Sequence, residues 1–332
     1  MTVRAAIVGM GRWGQRLALS LQGSGKIQFV AGVTRRVGRA QEFADTHGIP
    51  LTSHYDDVIS NPAIDAVVLA TPHRQHAQQV LAAVAAGKHV LCEKPFTLDR
   101  VSAARCIEAA QAAGIVLAVG MNRRFLPAVR DLMARARSGD LGTLLHVEAN
   151  YSANAIGFYP AGSWRLDPAE VPCGGLTGLG IHMIDSMIEM LGPVQSVVAV
   201  SSSRMISEID DVTAVLLEFA SGASASLSTM LATPMIWRLH AFGSAAHAEL
   251  RGIARLEVTR RNDAPAQVFD YAPVDIERME LEAFADAVKG YAPFPVPLDD
   301  AYHVVAVCEA IVRSAATGER VELDPVLAVS QA

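Results

Sequence analysis

Three stretches of the chain combine residue types at spacings that can do chemistry. Gly9-Met10-Gly11-Arg12-Trp13-Gly14 follows the apolar run Val3–Val8 and opens a helical pattern. Between a strand and a helix, glycines at this spacing allow a tight turn at Gly9. They let the backbone approach a pyrophosphate at Gly11 and let the helix pack on the strand at Gly14. The helix start then offers unpaired N–H groups and a positive dipole end to phosphates. Lys94 follows the apolar run 89–92, at the edge where open α/β sheets hold ligands. A lysine there can donate to a substrate oxygen, and partial desolvation favours its neutral, proton-accepting form. A surface ion pair with Glu93 is the plainer alternative. His182 and Asp185 are three apart and share a helix face. Imidazole exchanges protons near neutral pH, as removal of hydride from an alcohol requires, although a histidine at a helix start also serves as a cap or packing group.

The second apolar run, Ile27–Val33, ends in Thr34-Arg35-Arg36. An NAD site places an acid at such a strand tip to bind the ribose 2′-hydroxyl. Here a hydroxyl and two guanidiniums stand instead, and Arg can hold a 2′-phosphate through charge-assisted bonds. The expected cofactor is therefore NADP, with NAD as the alternative if both arginines are merely solvated. His73 and His76 are also three apart, but no acid or thiol accompanies them, so a helix-surface reading is preferred to metal binding. No metal is expected.

These residues need elements to hold them. Val3–Val8, Ile27–Val33, Ala66–Leu69, 89–92 and 116–119 read as strands buried on both faces, alternating with helical patterns at 73–86 and 98–113. A doubly wound α/β domain is expected over 1–122. Pro127–Ser138 reads as a bridging helix. Strand-like runs then follow at 143–152, Val194–Ser202, 211–219, 223–229 and 237–243, with a hairpin turn at Ser221-Gly222. Helices at 182–191, 275–290 and 299–317 complete an α+β domain over 123–332 with a large, mostly antiparallel open sheet. The last helix, 299–317, is a candidate to pack back on the first domain.

Composition narrows the class. The chain has 332 residues, 51% hydrophobic and 19% charged, which excludes a disordered chain. A net charge of −6 and 6% aromatics argue against nucleic-acid and membrane partners. The charge is uneven: residues 1–120 hold 12 Lys/Arg and 8 Asp/Glu, against 16 and 26 in residues 121–332. The basic half is thus the one with the glycine turn. Cys92, Cys106, Cys173 and Cys308 show no CxxC spacing, which fits a reducing compartment. No apolar run approaches the ~20 residues of a membrane span, and the first apolar run is too short for a signal-peptide core. A soluble, cytoplasmic protein is expected.

At Glu93-Lys94-Pro95 the chain resembles the Gfo/Idh/MocA oxidoreductases, the glucose–fructose oxidoreductase and inositol dehydrogenase family. The resemblance covers nearly the whole chain. It includes the glycine turn, Ala70-Thr71-Pro72 with His76, Ala86-Gly87-Lys88-His89-Val90 leading into Glu93-Lys94-Pro95, and Asn122-Arg123-Arg124-Phe125. Trp164-Arg165, Gly174-Gly175, Gly180-Ile181-His182-Met183-Ile184-Asp185 and Ala315-Ala316-Thr317-Gly318 follow in order. It implies a dehydrogenase or reductase acting on CH–OH groups of a sugar, sugar acid or cyclitol. Lys94, His182 and Asp185 would be catalytic. The cofactor would lie against Gly9 to Gly14, Thr34 to Arg36, Ala70 to Pro72, His76, Glu93, Lys94, Asn122, Trp164 and Arg165. Substrate would meet Lys94, His182, Arg124, Tyr151 and Tyr159, with Arg123 nearby. The segment 154–172 would be a loop over the site, and the open sheet a dimer or tetramer interface. Inositol-dehydrogenase-like members carry an aspartate four residues before the histidine, where this chain has Gly178, which puts an inositol substrate in doubt. Two other readings stay open: a non-catalytic nucleotide-binding regulator, and an NAD-assisted glycosidase.

Overall fold

The computed structural model describes residues 2–155, 159–160, 162–261 and 265–324. They form two compact units. In the first, the chain alternates β1 (Val3–Val8), α1 (Arg12–Ser20), β2 (Ile27–Val33), α2 (Gln41–His47), β3 (Leu51–Thr52) and α3 (Asp56–Ile59). It continues through β4 (Ala66–Leu69), α4 (His76–Ala85), β5 (His89–Glu93), α5 (Arg100–Ala112) and β6 (Leu117–Gly120). The strands make a six-stranded sheet in the order β3-β2-β1-β4-β5-β6, with every pair parallel. Helices on both faces explain the unbroken aliphatic runs, since all four residues of β4 are fully buried. The strand order reverses between β1 and β4, which opens a ligand crevice at the carboxyl ends of the strands. Lys88 secures the far side: its ammonium is buried and donates to the carbonyls of Asn61 and Ile64, both at 2.7 Å.

The second unit begins at Arg123, with α6 (Pro127–Ser138), β7 (Leu144–Asn154) and α7 (Ile181–Leu191). Two meanders follow, flanking β7 on either side: β8 (Val194–Ser202), β9 (Val212–Phe219) and β10 (Ser224–Met230), then β11 (Ala232–Gly243), β12 (Ala246–Arg251), β13 (Arg255–Arg260) and β14 (Gln267–Asp270). With β15 (Val321–Glu322) they form a nine-stranded sheet, ordered β14-β13-β12-β11-β7-β10-β9-β8-β15. Only β7 and β10 run parallel. One face buries Val147, Ala149, Leu217, Ala225, Leu227, Leu239 and Ala241, with α6 and α7 packed against the sheet. The other carries Glu148, Ser226, Arg238 and the exposed Val198, Val200 and Leu216. This is the period-2 pattern of a sheet covered on one side. The turn at Ser221-Gly222 joins β9 to antiparallel β10, as the sequence indicates, with Gly222 at φ +84°. The strands β12 to β14 are not expected from sequence. Their cores are short and interrupted by charged residues, and only cross-strand pairing defines them.

Two helices depart from the expected division at 122/123. The helix α8 (Ile276–Val288) lies within the stretch Asp275–Ala301 that returns to the first unit. Its Leu281, Phe284 and Ala285 join the core formed with Val3, Leu17, Ile27 and Phe29. Glu277, Glu282 and Asp286 bond to Arg16, Ser24 and Lys26. The helix α9 (Leu298–Thr317) belongs to the second unit from Tyr302 onward, so the helix that returns is α8 and not the last one. Within the second unit, His303 and Ser314 on α9 accept from the β8 amides of Val194 and Ala199 at 2.7 and 2.9 Å. Among the described residues no helix is long and apolar enough to cross a membrane.

A buried carboxylate organises the connection from β8 to β9. Asp211 accepts from the backbone N–H groups of Arg204 (2.9 Å), Met205 and Ile206 (2.6 Å). Ile206 is thereby held on the apolar cluster of Ala155, Val171, Ile209 and Leu231. Removing the buried carboxylate frees three loop N–H donors that water can reach in part and loosens the turn, so Asp211→Ala should destabilise the fold by about 1–3 kcal/mol and Asp211→Asn by less. Urea denaturation of both variants measures this; equal stability of Asp211→Ala and the parent contradicts it.

Candidate functional site

At the carboxyl edge of the parallel sheet, the glycine turn is shaped by close approaches. A Cβ on Gly14 would stand 2.0 Å from the Gly9 carbonyl oxygen, and one on Gly9 would stand 2.5 Å from that of Ala70. Gly9 also takes φ +103°, which L side chains rarely adopt. A Cβ on Gly11 would meet nothing within 4 Å, so no packing within the protein demands glycine there. That open space at the first turn of α1 suits a ligand lying on the backbone. Met10 is buried in the core cluster, so its side chain packs inward and any contact of this residue with a nucleotide would be through its backbone.

Beyond β2, Thr34 is half-buried and Arg35 and Arg36 are exposed, followed by exposed Arg39. The three guanidiniums form no hydrogen bond or ion pair with any described residue. No carboxylate follows the strand before Glu42.

Among the described residues, three buried polar atoms at this edge have no hydrogen-bond partner of good geometry: Trp13 Nε1, Glu93 Oε1 and Asn122 Oδ1. They follow β1, end β5 and follow β6. One is a donor and two are acceptors, a set that can be satisfied by a carboxamide, which carries both kinds of group. Burial pushes the Glu93 carboxyl up to about 7, against the opposing pull of the Trp13 indole and of Lys94. The other Glu93 oxygen accepts from the Lys94 N–H at 3.2 Å. Lys94 itself is half-buried. Ala70, Thr71 and Pro72 leave β4 beside Gly9. His76 is fully buried and His73 is buried as well, which corrects the helix-surface reading of both. The Nδ1 of His76 lies 2.8 Å from the Pro95 carbonyl oxygen and its Nε2 3.0 Å from that of Thr71, so it is not a direct cofactor ligand. The residues present thus fit a nicotinamide dinucleotide: an anion-accepting turn, unpaired arginines and unsatisfied polar atoms along one edge.

In the second unit, α7 presents His182 in its first turn, 5% exposed. Its ring centroid is 6.2 Å from that of Tyr151 on β7. Arg123 donates to the Tyr151 hydroxyl at 3.3 Å. Arg124 and Asp185 require a correction. The resemblance makes Arg124 a substrate contact and Asp185 a catalytic-site residue that orients His182 or binds a substrate hydroxyl, yet the two are buried together in a two-pronged pair. Arg124 Nε donates to Oδ2 at 2.9 Å and the terminal nitrogen to Oδ1 at 2.7 Å. A guanidinium held on both oxygens of a carboxylate is a poor receptor for a second anion. The pair fastens α7 one turn beyond His182. Nothing in the spacing of 61 residues signals it.

A π-helical turn, Leu176–Gly180, precedes α7. A Cβ on Gly180 would stand 2.7 Å from Thr229, whereas one on Gly178 would meet nothing within 4 Å. Gly178 therefore leaves space that the fold does not require. Tyr159 and Trp164 lie against the cluster that includes Ile206's neighbours Ala155 and Val171, and Arg165 stacks over the Trp164 ring at 4.2 Å. Within the expected loop 154–172, residues 156–158 and 161 lie outside the described residues.

The environment of Glu93 gives a pH signature. Its raised value means that the folded state prefers the protonated acid. That stabilisation is present below the ordinary value of 4.5 and is lost as pH rises through about 7. Glu93→Gln should therefore gain stability relative to the parent between about pH 5 and pH 8. Urea unfolding at both values checks this, and a difference that does not change with pH contradicts it.

The model of the oxidoreductase family with the NAD-binding Rossmann fold matches residues 3–121, and that of the GFO/IDH/MocA C-terminal domain matches residues 129–249. The chain is 29% identical over 300 residues to a D-xylose 1-dehydrogenase (NADP(+)) of Haloferax volcanii, covering 88% of this chain and 90% of that one. It is 26% identical over 342 residues to the 1,5-anhydro-D-fructose reductase of Ensifer adhaerens, covering 95% and 99%. A levoglucosan dehydrogenase solved with NADH and levoglucosan shares the fold at TM-score 0.88, with 22% identity and coverage of 97% and 99%. With both models matched in order, on a dinucleotide-binding edge of this geometry, the chain belongs to the GFO/IDH/MocA family of NAD(P)-dependent oxidoreductases.

Proposed function

We propose that the protein is an NADP(H)-preferring dehydrogenase or reductase for a secondary alcohol or carbonyl of a sugar, sugar acid or cyclitol. The observation that carries this reading is the carboxyl edge of the parallel sheet, where the glycine turn, the unpaired arginines after β2 and half-buried Lys94 share one rim. The bound nicotinamide supplies the hydride chemistry. Arg35 and Arg36 hold the 2′-phosphate, which an acid at that tip would repel. Lys94 donates to the substrate oxygen, or takes its proton when the alcohol is oxidised. His182 passes that proton on. Substrate anion binding is left to residues other than Arg124.

The sugar class is supported by relatives named for D-xylose and 1,5-anhydro-D-fructose. The open Gly178 position favours a substrate that makes no demand for a carboxylate there. The exposed face of the nine-stranded sheet, with Val198, Val200 and Leu216, is proposed to pair with a second copy. Sedimentation should then give a dimer or tetramer mass; a monomer at micromolar concentration contradicts it.

Thermal stabilisation by NADP and NAD, measured separately, tests the nucleotide preference. NADP is expected to give the larger shift, and Arg35→Ala with Arg36→Ala should weaken it about tenfold or more in affinity with little effect on NAD. Turnover is followed by absorbance on D-xylose, levoglucosan, 1,5-anhydro-D-fructose and keto-sugars. Lys94→Met should lose about a hundredfold or more in kcat. A larger shift with NAD overturns the arginine reading. Nucleotide binding without turnover on any sugar would make the protein a nucleotide-binding regulator.

A further inference from the structure

The three loops that line the crevice leave adjacent strands. The glycine turn follows β1, Ala70-Thr71-Pro72 follows β4, and Lys94-Pro95 follows β5. Contact between the first two is backbone on backbone: a Cβ on Gly9 would stand 2.5 Å from Ala70 O and 3.0 Å from Thr71 N. Between the second and third the connection runs through one side chain. His76, on the first turn of α4, directs Nε2 to the Thr71 carbonyl at 3.0 Å and Nδ1 to the Pro95 carbonyl at 2.8 Å. The imidazole is wholly buried, and burial lowers its basicity more than these contacts and the nearby Phe96 backbone raise it. Thr71 is held from its other side as well, its hydroxyl donating to Gln79 Oε1 at 2.6 Å, one turn along α4 from His76.

We propose that His76 is a positioning residue, a strap that fixes the turn after β5 to the turn after β4 and so sets where Lys94 projects beside the nucleotide. The proposal rests on the reading of Lys94 as the residue that meets the substrate oxygen. An imidazole suits the role because it is rigid and sets one ring nitrogen against each loop; both partners are carbonyl acceptors, so the neutral ring donates to one of them and packs against the other, and the protonated ring donates to both. A purely apolar side chain of similar size would fill the volume and leave two buried carbonyls without the contact. The glycine turn does not depend on the strap, since its shape comes from Gly9 and Gly14. Loss of His76 should therefore fall on turnover and not on nucleotide binding.

The test compares His76→Leu, His76→Gln and Lys94→Met with the parent, using NADP calorimetry for affinity and the fastest sugar of the panel for kinetics. In His76→Leu, kcat is expected to fall about a hundredfold, the scale of a small misplacement of a reacting group. The glutamine amide can restore one of the two contacts, so His76→Gln should recover about tenfold of that loss. The NADP dissociation constant should stay within about threefold in both, because the phosphate-binding turn is unchanged. If His76→Leu does not fold, His76→Gln alone decides, with a loss in kcat and retained NADP affinity as the expected result. A folded glutamine variant with the parent's kcat overturns the proposal, and so does a loss of NADP affinity as large as the loss of kcat. Lys94→Met separates the two readings: if it is inactive while the His76 variants match the parent, only the strap fails. If Lys94→Met retains turnover, the Lys94 reading fails and takes the strap's catalytic purpose with it.

Discussion

A methyl group on Gly14 would stand 2.0 Å from the carbonyl oxygen of Gly9, and one on Gly9 would stand 2.5 Å from that of Ala70. These contacts bring α1, β1 and the loop after β4 closer than any side chain permits. The N-terminus of α1 is thereby held over the point where the strand order reverses, with Gly11 left uncovered. Everything else at that edge takes its place relative to this turn. The arginines leave the neighbouring strand on one side, and Thr71, His76, Pro95 and Lys94 extend in sequence on the other. The helix α8 covers the same unit from behind, with Phe284 in the core shared by Leu17 and Ile27.

Several buried polar groups of the scaffold satisfy one another. Arg124 and Asp185 satisfy one another, Asp211 is satisfied by backbone donors, and Lys88 by two carbonyls. Such groups stabilise because breaking them leaves a buried charge or donor unpaired. Trp13 Nε1, Glu93 Oε1 and Asn122 Oδ1 are different, since among the described residues none of them has a hydrogen-bond partner of good geometry. Unsatisfied buried atoms are costly, and their grouping at one sheet edge is what a preformed ligand site looks like before the ligand supplies the missing partners. The raised value of Glu93 belongs to the same picture, because burial without a full set of donors favours the neutral acid.

In the second unit the π-helical turn before α7 lets Gly180 press on Thr229 while Gly178 stays open. His182 follows on the first α-helical turn, and the Arg124–Asp185 pair holds the helix one turn further on. The histidine thus sits on a segment whose rotation is restricted from both ends, which favours a fixed imidazole orientation.

Much of this was legible in the residues. Strands buried on both faces are continuous aliphatic runs, so five of the six strands of the parallel sheet could be read almost to the residue, while the two-residue edge strand β3 has no such run. The glycine turn and the absence of an acid after β2 are local features, and spacing alone exposes them. What the residues did not reveal is which side chain meets which. His76 looks like a surface residue because its partners are backbone carbonyls of two other loops, one of them 19 residues away. Arg124 looks like a substrate receptor because Asp185 lies 61 residues on. The helix α8 reads as part of the second domain because its apolar stripe does not name the core that it joins. Periodicity and turn chemistry are properties of neighbours in the chain, and the sequence by itself determined them. The pairing of buried polar groups depends on where distant backbone segments are brought together, and only the tertiary structure decided that.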